Sequence, residues 1–71
     1  MKLPEMDAKL IGERLVELRG EKSRETVANA LNISVSALCM YERGERIPRD
    51  NIKIRISKYY KKPISKIFFE F

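Results

Sequence analysis

The sequence predicts an all-α fold, a compact bundle of five helices in one domain spanning residues 1–71. Three observations carry that expectation. Apolar residues recur at i, i+3, i+4 and i+7, the spacing that gives a helix one buried face. Serines stand before two of these runs, at Ser23 and Ser34, where a hydroxyl can accept a hydrogen bond from the free N–H groups of a helix's first turn. Gly20, Gly44, Pro48 and Pro63 lie at or beyond the ends of the runs, where a helix must stop or turn.

The first helix is expected from Asp7 or Ala8 to Arg19, with Ile11, Leu15 and Leu18 forming one apolar stripe. A second begins at Arg24 behind the Ser23 cap and buries Val27, Ala28 and Leu31. Asn32 follows it, a residue that tolerates a left-handed conformation and so allows a sharp corner. Ala28 is small enough for two helices to cross closely at that corner. The third helix begins at Val35 behind Ser34 and turns Leu38 and Tyr41 to the core before Gly44. For the fourth, Asp50 is the expected N-cap after Pro48. Ile52, Ile56 and Tyr59 or Tyr60 repeat at helical spacing there, while Lys53, Arg55 and Lys58 point away. A short last helix, from Ile64 or Ser65 to Phe68, returns Ile64, Ile67 and Phe68 to the core. No linker, repeat or low-complexity segment interrupts this order.

Seventy-one residues leave room for one small core and for no separate ligand domain, so dense packing or dimerisation must supply stability. One cysteine and no histidine rule out an internal disulfide, an ordinary zinc site, and Cys-His or Ser-His catalysis. No paired carboxylates or nucleophile-base set stands out, so the chain is not expected to be an enzyme, and no cofactor or small-molecule ligand is implied. Met1 to Glu5 lack an apolar leader segment, and no run approaches the roughly 18–20 apolar residues of a membrane span. A cytoplasmic protein is expected.

Net charge is +5, unevenly placed. Residues 1–42 hold six basic and seven acidic side chains, and residues 43–71 hold nine and three. The excess begins where the third helix ends, at Arg43, Arg46 and Arg49, and continues through Lys53, Arg55, Lys58, Lys61 and Lys62.

Ser23, Val27, Ala28, Leu31, Ser34, Leu38, Tyr41, Glu42, Gly44 and Pro48 together resemble the lambda-repressor-like, XRE-type helix-turn-helix family. Its members carry Ser-Gln-x-x-Leu-Ala, a turn glycine, a serine cap and a closing Tyr-Glu-x-Gly-x-x-x-Pro. The likeness extends to residues 14–19 before the motif and 52–68 after it, with the motif itself at about 24–43. It implies a bacterial or phage regulator of transcription that binds an operator in double-stranded DNA as a homodimer and represses. The third helix would lie in the major groove and turn Val35, Ser36, Cys39 and Met40 to base edges. Ser23, Arg24, Ala37, Arg43, Arg46 and Arg49 would lie against phosphates, and Arg19 would pair with Glu42 as a structural tie.

The chain departs from the family pattern in three places. Arg24 replaces the usual glutamine, and the turn at Gly20-Glu21-Lys22 is about two residues shorter than the commonest form. Val35, Cys39 and Met40 stand where relatives commonly carry Gln, Arg, Asn or Thr, so apolar contact with thymine methyls and DNA shape would replace bidentate readout. The same apolar positions leave two rivals open: a protein-interaction module of the same fold, and the antitoxin half of a toxin-antitoxin pair. Cys39 is read as a small side chain rather than a redox switch, and Tyr59 and Tyr60 as core and rim. The tail holding Ile67, Phe68, Phe69 and Phe71 is more apolar than so small a core can absorb. It is the expected dimer interface, with a short C-terminal strand admitted there; the alternative is a tail folded onto its own core.

Overall fold

The structure, a computed structural model, describes residues 7–70. Five helices follow one another: α1 (Ala8–Arg19), α2 (Arg24–Leu31), α3 (Val35–Glu42), α4 (Asp50–Tyr60) and α5 (Ile64–Phe68). There is no strand among the described residues.

Local chemistry sets the helix ends. Asp7, Ser23 and Ser34 each accept the amide three residues on, from Leu10 at 3.1 Å, Thr26 at 3.1 Å and Ala37 at 3.0 Å. Asn32 adopts a left-handed φ of 57°, which sends the Ile33 amide back to the Ala28 carbonyl at 3.0 Å and turns the chain from α2 into α3. At α4 the expected cap moves by one residue. Arg49 is the N-cap, and its extended backbone offers its carbonyl to the amides of Ile52 and Lys53 at 3.0 and 2.9 Å. Asp50 is therefore already helical, and its carboxylate lies 3.4 Å from Lys53 Nζ.

Ile11 and Leu15 of α1, Val27, Ala28 and Leu31 of α2, Leu38 and Tyr41 of α3, Ile52 and Ile56 of α4, and Ile67 and Phe68 of α5 form one core. Leu18, Ile64, Tyr59 and Tyr60 pack at its edge. Full burial of one such side chain stabilises by about 1.5–3 kcal/mol, and here each helix contributes. Gly12 sets how closely α1 meets α3. A Cβ there would lie 2.4 Å from the Glu42 carbonyl oxygen and 2.8 Å from that of Tyr41, so the two backbones touch where any side chain would part them.

Two expectations about the second half are corrected. Lys53 does not point to solvent: it is 5% exposed, and its ammonium sits 5.8 Å from the Phe68 ring centroid and 5.3 Å from that of Phe69. Helical spacing places residue 53 between Ile52 and Ile56, and its long apolar stem fills the gap between α4 and α5. Ile67 and Phe68 are likewise 2% and 0% exposed, so they close the chain's own core rather than offering a face to a second copy. Arg14 fastens this end by donating to the carbonyls of Lys66 and Ile67 at 3.0 Å each, and to that of Glu70. Of the three tail residues described, Phe69 alone remains on the surface, 52% exposed; Phe71 lies outside the described residues, as do Met1 to Glu5.

Candidate nucleic-acid interface

The outer face of α3 is made by what its inner face buries. Leu38, Tyr41 and Glu42 turn inward, which leaves Val35, Ser36, Cys39 and Met40 on one contiguous outer stripe at i, i+1, i+4 and i+5. Val35 and Met40 are each 38% exposed, Ser36 is exposed and Cys39 is half-buried. Ala37 sits at the edge of the core, and its amide, the group through which an alanine could hold a phosphate, is already donated to Ser34 Oγ.

Arginines continue this surface past the end of α3. Arg43, Arg46 and Arg49 are all exposed on the segment of residues 43–49, which two anchors hold. Pro48 is fully buried. Gly44 takes a φ of +74° and approaches α1 so closely that a Cβ would lie 2.8 Å from Lys9 Cα. Arg43 has an exposed partner in Glu45 at 3.3 Å, a solvent-screened pair that a phosphate could displace at little cost.

Other cations of the basic half serve different purposes. Arg55 donates to the carbonyls of Leu31 and Asn32 at 3.2 and 3.5 Å, closing the last turn of α2 from outside. Lys62 and Lys66 line a shallow cleft of about 280 Å³ with Arg14, Glu17, Leu18 and Ile67, between α1 and α5. The basic run in the sequence is thus divided between the surface beside α3 and the packing of α4 and α5.

Glu42 ties α1, α2 and α3 together. Its side chain is 1% exposed. Arg19 reaches it with Nε at 2.7 Å from Oε2 and Nη2 at 3.2 Å from Oε1, and Arg24 adds Nε at 2.9 Å from Oε1. The hydrogen bond to Glu42 raises the Arg19 guanidinium above its ordinary range. Beside this cluster, burial pushes the Tyr60 phenol up to about 12, helped by Tyr59 and Glu42 and opposed by Arg19. Tyr59 and Tyr60 meet edge to face with centroids 4.9 Å apart, and Lys22 lies 5.0 Å over the Tyr59 ring. Ser23 is engaged on both sides, accepting from the Thr26 amide and donating to Thr26 Oγ1 at 2.9 Å.

Sequence reasoning missed Gly12, Arg14, Arg55 and the Arg24–Glu42 bond. Gly12 left one trace, a glycine inside a helical pattern and next to the stripe of Ile11 and Leu15, where its cost in helix propensity needs a packing reason. The arginines left none, because a guanidinium that caps a distant helix looks the same in sequence as one in water.

Two serine-capped helices of eight residues, joined through a left-handed asparagine and packed so that the second presents an exposed face beside three arginines, define a helix-turn-helix protein. The chain belongs to the helix-turn-helix family of lambda-repressor-like, XRE type, whose family profile matches residues 14–67 and whose members are, in general, DNA-binding regulators of transcription. No curated protein and no solved structure matches it. Among the described residues no helix is long and apolar enough to cross a membrane, and no group of acidic, histidine or cysteine side chains could hold a metal ion.

Proposed function

We propose that the chain acts as a repressor that binds an operator in double-stranded DNA as a homodimer in the cytoplasm of a bacterium or of a phage-infected cell. The observation that carries this reading is the exposed stripe of Val35, Ser36, Cys39 and Met40 with Arg43, Arg46 and Arg49 directly beyond it. A helix in the major groove would bring the stripe to base edges and the arginines to the phosphates alongside. Arg24 joins them at the first position of α2, whereas Ser23 and Ala37 would contribute through position only, their polar groups being engaged within the fold. Val35 and Met40 suit thymine methyls, and Ser36 suits several base edges, so recognition would lean to A·T pairs and to DNA shape. Two copies would read half-sites about 34–36 Å apart. With Ile67 and Phe68 in the core, Phe69 is the described tail residue left for the dimer contact.

The half-exposed Val35 and Met40 also favour a second reading, a protein-interaction surface, alone or as the antitoxin of a pair. Selection of fragmented genomic DNA by the purified chain, with sequencing of what is retained, tests the first reading. Enrichment of an inverted repeat supports a dimeric operator reader. Retention without shared sequence, or retention that ignores salt, supports the second, because phosphate binding falls with a log-log salt slope of about −0.9 per phosphate.

A further inference from the structure

Arg24 is held in an unusual way for a surface arginine. Its side chain is 43% exposed, yet its Nε is fixed at 2.9 Å to a carboxylate that is itself 1% exposed. Among the described residues, neither of its terminal nitrogens donates to the protein. A guanidinium has donors along more than one edge within its plane, so an arginine can be gripped at Nε and still present a two-pronged edge. Glu42 is locked in turn by the two bonds from Arg19, so the oxygen that grips Arg24 has little freedom. The cluster carries two guanidinium charges against one carboxylate, and the uncompensated charge lies on its outward side.

Resting on the DNA-binding reading above, we propose that Glu42 is a positioning residue for DNA: through Nε it orients Arg24 so that the two terminal nitrogens meet a backbone phosphate beside the start of α2. The recognition helix and this phosphate clamp then share a rigid part, since Glu42 is the last residue of α3. A phosphate held there fixes the rotation of α3 about its axis relative to the DNA backbone. Arginine suits position 24 because its Nε and its terminal nitrogens are separate donors in a rigid fork, whereas a lysine's three donors radiate from one nitrogen, which cannot stand both at the Glu42 oxygen and where the two-pronged edge would meet the phosphate.

The test uses the full chain and a mixed-sequence DNA duplex, titrated over a range of salt, with thermal melting to verify folding. Arg24→Ala should weaken binding several-fold and make the log-log salt slope shallower by about 0.9. Arg24→Lys should also weaken binding, but with a smaller change in salt slope, because the charge is kept and only the fork is lost. In a double-mutant cycle, Glu42→Gln should weaken binding in the parent chain but add little to Arg24→Ala; if Glu42→Gln does not fold, Glu42→Asp, which withdraws the carboxylate by one methylene, takes its place. Arg24→Lys binding as tightly as the parent, or additive effects of positions 24 and 42, would overturn the proposal. Arg43→Ala separates it from the reading it rests on. If Arg43→Ala weakens binding while Arg24→Ala does not, the clamp is wrong and DNA binding stands; if the parent chain does not hold duplex at low salt, both fall.

Discussion

Glu42 and Lys53 are both buried charges, and the fold treats them in opposite ways. Glu42 has three nitrogen–oxygen contacts of 2.7–3.2 Å from two arginines on two other helices. Lys53 has one exposed carboxylate of its own helix at 3.4 Å and the faces of two phenylalanine rings. The carboxylate is thus tied by directional bonds that only one arrangement of α1, α2 and α3 satisfies. The lysine is held mainly by its stem and by ring faces, which many side chains of similar length could occupy. Specific geometry is concentrated in the half that carries α3, while α4 and α5 brace it through burial that tolerates exchange.

Glu42→Ala should have the largest effect on the fold, since it strands Arg19 and Arg24 beside a vacated buried site. Breaking a buried pair by removing one partner costs about 3–5 kcal/mol, so urea denaturation should find this variant largely unfolded. A loss under about 1 kcal/mol would put Glu42 on a par with Lys53 and break the contrast. Gly12→Ala should come next. Better helix propensity favours the alanine by about 1 kcal/mol, but its methyl would press on the Glu42 and Tyr41 carbonyls, and overpacking of this kind costs about 1–3 kcal/mol. A net destabilisation with weaker DNA binding is expected; a stabilised protein would show that α1 and α3 can separate freely.

Lys53→Met should change stability by less than about 1 kcal/mol in either direction, because a thioether fills the same slot without a charge to desolvate. A large loss would mean that the contact with Asp50 matters far more than its distance and exposure suggest. Tyr60 gives a smaller effect, visible only in alkali. Its folded-state pKa of about 12 stands above the ordinary value of 10, so the folded protein holds the phenolic proton more tightly. That contribution is complete below pH 10 and is lost as pH rises from 10 towards 12; Tyr60→Phe should remove this part of the alkaline loss, followed by denaturant midpoints. Smallest of all is the effect of Arg43→Ala on the fold, within about 0.5 kcal/mol for an exposed pair. The same change should weaken binding to all DNA sequences alike, while Val35→Ala or Ser36→Ala should alter which sequences are preferred. If Arg43→Ala changed preference alone, the division between phosphate and base contacts would be reversed.

Helix limits were legible because they depend on neighbours in sequence. Ser23 and Ser34 cap the amides three residues on, Asn32 supplies the left-handed corner, and Gly20 and Gly44 adopt positive φ, all interactions that span a few residues. The outer stripe of α3 was legible for the same reason, since burial of Leu38 and Tyr41 determines by periodicity which residues face away. The Asp50 cap was misread because an acidic residue suits both the cap and the first helical position.

What the order of residues could not decide was the use of each charge and of the apolar tail. Lys53, Arg55, Arg24 and Arg43 are all basic residues in a basic protein, yet one fills a core, one closes a distant helix, one is gripped by Glu42 and one stands in solvent. Ile67, Phe68 and Phe69 are equally apolar, yet two are buried and one is not. Sequence alone determined the five helices, the serine caps of α2 and α3 and the outer face of α3, because those follow from spacing within a helix. Only tertiary structure decided which charges are buried and which remain outside, because that depends on where α1, α4 and α5 bring groups tens of residues away, and no local pattern encodes such distances.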